Sequence, residues 1–223
     1  MSSSPDPSAP PESLNYLAIE GAIGAGTTTL ARLLSDHWAA GLVLEEFEEN
    51  PFLERFYDDQ DRWAFQTQLA FLASRFRQQK ALSERDLFQS LTVSDYVFDK
   101  DRIFARQTLA GDEQQLYESL FRLMQPTVPT PDLVVYLRSS PERLMENIAK
   151  RDRTYERDMD PEYIARLHAA YDQYFRQYDR TPLLVVNAAD MDFVERREEF
   201  QSLARHIAAP RPDGTRHVRH PAS

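Results

Sequence analysis

The amino-acid sequence predicts an α/β protein built on a doubly wound sheet of five parallel strands. Three observations carry this. Short runs rich in apolar and β-branched residues recur at 16–19, 42–44, 91–93, 133–137 and 183–186, as buried strands of a parallel sheet do. Each is followed by a longer segment of helical character, and helical crossovers join successive parallel strands. A cluster of glycines stands directly after the first run, where a strand turns into a helix.

The elements follow in order. Helices are predicted over residues 28–40, 53–82 (broken near 58–61), 101–109, 112–124, 141–150, 161–178 and 191–208. In a sheet of this kind ligands sit beyond the carboxyl ends of the strands, so the residues just after each strand are the candidates for function. The first 13 residues, MSSSPDPSAPPES, are Ser/Pro-rich, and residues 209–223 are basic, polar and Pro-rich. Both read as disordered, solvated tails. Residues 14–208 form one domain.

Bulk properties narrow the function. The 223-residue chain is long enough to bury a core without staples and has no cysteine, so neither disulfides nor thiolate metal sites are expected. The five histidines show no ligand spacing. The opening segment has no apolar run and predicts no signal peptide. No apolar stretch nears the length of a membrane span. A net charge of −10 repels nucleic-acid backbones. A cytoplasmic protein that binds neither membrane nor nucleic acid is expected, and an anionic ligand would need a local cationic site.

Gly21, Ala22, Ile23, Gly24, Ala25, Gly26, Thr27, Thr28 and Thr29 read as a phosphate loop. Glycines let backbone N–H groups turn inward around a phosphate, and the following helix N-terminus favours an anion. Thr28 occupies the hydroxyl position that ligates Mg²⁺ in GxxxxGK[ST] loops. The pattern calls for lysine at position 27, and this chain has Thr27. Losing one donor to the transition state costs ~3–4 kcal/mol, or ~10²–10³ in rate.

The stretch IEGAIGAGTTTL resembles the IEGxIGAGKTTL opening of the deoxynucleoside kinases, and the similarity continues over about residues 16–190. Bacterial deoxyguanosine/deoxyadenosine kinases are the most similar group. The resemblance implies a P-loop nucleoside-kinase fold with a helical lid near residues 150–158. It implies ATP as phosphate donor, Mg²⁺, and a role in nucleotide salvage. In LEEFEENPFL the glutamate matching the family's base is Glu45. By chemistry alone Glu46, Glu48 and Glu49 compete, and the spacing to Asn50-Pro51 favours Glu45. In FYDDQDRWAFQTQLAFLASRFR, Tyr57 matches a contact to the sugar 3′-hydroxyl. Gln66 and Gln68 both offer an amide, two residues apart and so on different helix faces. Counted from Trp63, Gln68 matches the base-binding position, and Arg75 lies one helical repeat later. For Trp63, Phe65, Phe71 and Phe76 core packing is the default.

LTVSDYVFDKDRIFA supplies Asp95, matching an acid near Mg²⁺ or the catalytic arginine. Tyr96 stands where many members have arginine. Lys100 matches a lysine of the bacterial deoxyguanosine kinases, and Asp101 an acid near the base. In SPERLMENIAKRDRTYERDMDPEY, Arg151 and Arg153 match the lid arginines, Asp152 replaces a glycine, and Glu156 matches a lid acid that holds the sugar hydroxyl. Lys150 and Arg157 read as solvated.

The resemblance implies a kinase that transfers the γ-phosphoryl of ATP to a deoxynucleoside 5′-hydroxyl, with purines favoured. Glu45 is then the base, and Lys100, Arg151 and Arg153 partly offset the absent lysine. Thr27 raises an alternative: a catalytically weak nucleoside- or nucleotide-binding subunit partnering an active kinase. A monophosphate kinase on the same scaffold fits less well, because an ionised phosphate acceptor needs no base such as Glu45. Family members are commonly dimers, so a homodimer, or a heterodimer with a related kinase, is expected.

Overall fold

The computed structural model describes residues 14–84, 91–157, 159–209 and 214–218. Five strands, β1 (Tyr16–Glu20), β2 (Gly41–Val43), β3 (Thr92–Ser94), β4 (Leu133–Arg138) and β5 (Leu183–Asn187), fall within one or two residues of the predicted runs. A sixth, β6 (Thr215–Val218), was not expected. The sheet order is β2-β3-β1-β4-β5-β6, and every pairing is parallel. The five-stranded expectation is therefore corrected to six. Thr215–Val218 lies in the tail read as solvated, and it joins the sheet because β5 otherwise leaves an open edge of backbone donors and acceptors. The tail readings for residues 1–13, 210–213 and 219–223 lie outside the described residues.

All five residues of β1 are buried, as are the first five of β4. Successive side chains point to opposite faces, so both faces of the sheet are covered. The main core packs Leu17, Ile19, Val93, Val135 and Leu184 against Leu30, Leu34 and Ile164. A smaller core gathers Phe56, Leu72, Phe98, Tyr117 and Phe121.

The helices are α1 (Thr27–Trp38), α2 (Leu53–Asp58), α3 (Gln60–Glu84), α4 (Lys100–Thr108), α5 (Gly111–Met124), α6 (Pro141–Arg151), α7 (Pro161–Arg176) and α8 (Arg197–Ala208). The predicted break falls at Asp59. The last helix begins at Arg197 rather than near 191, because Asp192 instead accepts the backbone N–H groups of Val194 (3.2 Å) and Glu195 (3.0 Å) in a local turn. Among the described residues no helix is long and apolar enough to cross a membrane.

Candidate active site

The strand ends open onto a cavity of about 670 Å³, a usual size for a small-ligand site. All nine residues of 21–29 line it. Gly24 (φ +87°) and Gly26 (φ +91°) hold left-handed backbone angles, which L side chains rarely adopt. Helix α6 presses on the loop from behind. A Cβ at Gly24 would stand 2.6 Å from the Leu144 carbonyl oxygen, and the Asn147 amide donates to the Gly24 carbonyl at 2.8 Å. Gly26 caps α1 without a side-chain hydrogen bond, so the first N–H groups of that helix keep their capacity for an anion.

The catalytic candidates meet beside the loop. The Thr28 hydroxyl donates to Asp95 Oδ2 at 2.5 Å, and the Glu45 backbone N–H donates to Asp95 Oδ1 at 2.8 Å. Burial pushes the Asp95 carboxyl above its ordinary range, despite Lys100 and the Thr28 hydrogen bond. Such a carboxylate next to a hydroxyl suits Mg²⁺, which takes one or two protein oxygens and fills its shell with water and phosphate. Glu45 accepts from Arg75 Nε at 2.8 Å and from Lys100 Nζ at 2.8 Å. Burial works against the Glu45 charge, but the two cations outweigh it and hold the carboxyl down at about 2. Lys100 is raised in turn: burial disfavours its charge, and the carboxylates of Glu45 and Glu20 more than restore it. Glu46, Glu48 and Glu49 are exposed and do not line the cavity, with Arg77 beside Glu46 and Glu49. Tyr96 is buried, and its hydroxyl donates to Gln78 (3.0 Å).

The nucleoside candidates occupy the same walls. Gln68 is 1% exposed and faces the cavity with its Oε1 unpartnered, whereas Gln66 is exposed and lies outside. A buried acceptor without a donor is costly in isolation, so Gln68 is poised for a ligand. Arg75 lies 4.6 Å from the Phe71 ring centre and bridges Glu45 to Asp101. Asp101 is fully buried and does not line the cavity. It stands behind Arg75, accepting from the Tyr117 hydroxyl at 2.7 Å. Tyr57 stacks on Tyr155, centre to centre 5.8 Å. Phe71 lines the cavity, while Trp63 stacks on Phe52 outside it.

The segment expected to form the lid lines one side of the cavity. Helix α6 ends at Asp152 in the left-handed region (φ 50°), where the expected glycine would carry no strain. Arg151 makes a fork to Glu156, with Nε to Oε2 at 3.0 Å. Arg153 lies 3.5 Å from the same carboxylate and 4.0 Å from the Phe47 ring centre. Asp158, the end of the predicted lid, lies outside the described residues.

One residue escaped the sequence reading. Glu20 ends β1 and is fully buried. It accepts from the N–H groups of Gly21 and Val97, both at 2.9 Å, and from the Tyr171 hydroxyl at 3.1 Å. Burial, only partly countered by Lys100, pushes its carboxyl up to about 7. Its signal was an acid closing an otherwise apolar strand immediately before a glycine loop. Phe193 and its neighbours after β5 also line the cavity.

Known proteins resemble this chain in sequence and in fold. Bacillus subtilis deoxyguanosine kinase is 32% identical over 197 residues, covering 86% of this chain and 95% of the relative. Dictyostelium discoideum deoxyadenosine kinase is 33% identical over 179 residues, covering 77% and 71%. A solved structure of deoxyadenosine kinase from M. mycoides with bound dATP superposes with a TM-score of 0.76 at 25% identity, covering 87% of this chain and all of that one. With the deoxynucleoside kinase family model matching residues 17–209, the chain belongs to that family.

Proposed function

We propose that the protein transfers the γ-phosphoryl group of ATP to the 5′-hydroxyl of a deoxynucleoside, purines favoured. The observation that supports this most is the meeting of Glu45 with the glycine loop and the Thr28–Asp95 pair in one cavity. The loop N–H groups and the α1 N-terminus would bind the phosphates. Thr28 and Asp95 would hold Mg²⁺, whose charge counters that of the phosphate oxygens. Gln68 offers its free acceptor to the base edge, and Arg75 and Tyr57 form the adjoining walls. Glu156 and Tyr57 are the candidates for the sugar hydroxyl. As the bond from O5′ to phosphorus forms and the bond to ADP breaks, Glu45 accepts the hydroxyl proton. Arg151 and Arg153 serve the transferring group once they leave Glu156. The purine preference leans on the names of the deoxyguanosine and deoxyadenosine kinases among the relatives. A cytoplasmic homodimer, or a heterodimer with a related kinase, is the proposed state, checked by light scattering.

Thr27 keeps a second reading in view, a nucleotide-binding subunit without turnover. Transfer of labelled γ-phosphate from Mg·ATP to each of the four deoxynucleosides separates the two. Transfer that is lost in Glu45→Gln supports the kinase and names its substrate. Silence from both the parent and Thr27→Lys, with nucleotide still bound, favours the subunit.

A further inference from the structure

Six cations line the cavity: Arg75, Lys100, Arg143, Lys150, Arg151 and Arg153. Five of them rest on carboxylates. Arg75 and Lys100 hold Glu45, Arg151 and Arg153 hold Glu156, and Arg143 pairs with Glu146 at 3.1 Å. Of the six, Lys150 alone has no carboxylate partner among the described residues. Its position on α6 is specific. Asn147, whose amide touches the Gly24 carbonyl, is three residues earlier, and residues three apart share a helix face. The two are separated by ~4.5 Å along the axis. Side chains on a helix lean toward its N-terminus, so Lys150 leans back toward Asn147 and the loop.

We propose that Lys150, reaching from α6, supplies the mobile phosphate-binding charge that position 27 lacks. A lysine is suited to this, being a compact charge on a flexible stem. The inference rests on the kinase reading for its effect on turnover. The solvated role that the sequence suggests for Lys150 is the competing outcome.

The test is a cycle of Lys150→Ala and Thr27→Lys, with Lys150→Arg as the conservative variant. Turnover and the affinity for Mg·ATP, by calorimetry, are measured on each. Lys150→Ala is expected to lower kcat/KM for ATP at least tenfold while the nucleoside KM moves less than twofold. Lys150→Arg should retain most of the activity. In the Thr27→Lys background the same alanine change should cost less than threefold, since the two charges substitute for one another. A change below twofold in the parent, or equal losses in both backgrounds, overturns the proposal. If no variant transfers phosphate, the kinase reading falls and affinity alone decides. A fivefold or greater weakening of ATP binding in Lys150→Ala then upholds the contact, and unchanged affinity removes it.

Discussion

At the scale of single residues, the chemistry centres on the charge state of Glu45. A carboxyl held at about 2 by Arg75 and Lys100 is ionised at any working pH. As the proposed base it would be weak in the ground state and become effective as the acceptor hydroxyl loses its proton late in a loose transition state. Glu45→Gln should lower kcat by ~10²–10⁴, read as labelled phosphate transferred to a deoxynucleoside. Arg75→Gln removes a cation that favours the carboxylate, so the Glu45 pKa must rise. The acid limb of the kcat profile should then move to higher pH, and an unmoved limb would mean that Glu45 is not the group titrating. Thr27→Lys should raise turnover at least tenfold in steady-state assays. The glycine loop and the acid–threonine pair were legible because they sit in fixed order after strand ends. Gln68 and Glu45 line the cavity, whereas Gln66 and the three neighbouring glutamates are exposed outside it. Glu20 shows in the sequence only as an acid closing an apolar strand, and its environment does not, because its partners Val97 and Tyr171 come from distant segments.

At the scale of elements, the phosphate loop and α6 behave as one unit. Gly24 has no room for a side chain against the Leu144 carbonyl and holds a positive φ. Gly24→Ala therefore combines a backbone penalty of about 1–2 kcal/mol with displacement of α6. Affinity for Mg·ATP should fall, along with Tm, while a variant at the exposed Gly111, where a Cβ meets nothing, should leave ATP affinity unchanged. Calorimetry and thermal melts on the pair check this. Strand positions were readable from apolar runs to within a residue or two. The start of α8 was misplaced because residues 191–196 look helical by composition, yet Asp192 draws the next N–H groups into a turn. Strand β6 was missed because TRHV is short and polar, and its strand state depends on the edge of β5 rather than on its own propensity.

At the scale of the whole molecule, buried acids shape stability against pH in separate windows: burial raises Glu20 and, to about 6, Asp101, while cations depress Glu45. The Glu20 carboxyl rises from an ordinary 4.5 to about 7 in the fold. The folded state thus binds the proton more tightly, and stability falls as pH climbs through that interval. Glu45 is depressed from 4.5 to about 2, so its contribution is complete above 4.5 and lost as pH falls toward 2. Urea midpoints should accordingly decline between pH 5 and 7.5, and Glu20→Gln should flatten that slope. Deleting residues 210–223 removes β6, which pairs with β5 alone at the sheet edge. Tm should drop by a few degrees, of the order expected for ~1 kcal/mol in a domain of this size, with kcat unchanged within twofold.

Arg75 belongs to two carboxylates at once, Glu45, the proposed acceptor of the reaction proton, and the buried Asp101 behind it. A nucleobase that draws the guanidinium toward itself loosens its hold on Glu45, and one that ignores it leaves the acceptor fully restrained. On the proposed reaction this coupling predicts that rival nucleosides of similar affinity differ in turnover, read as kcat on each deoxynucleoside.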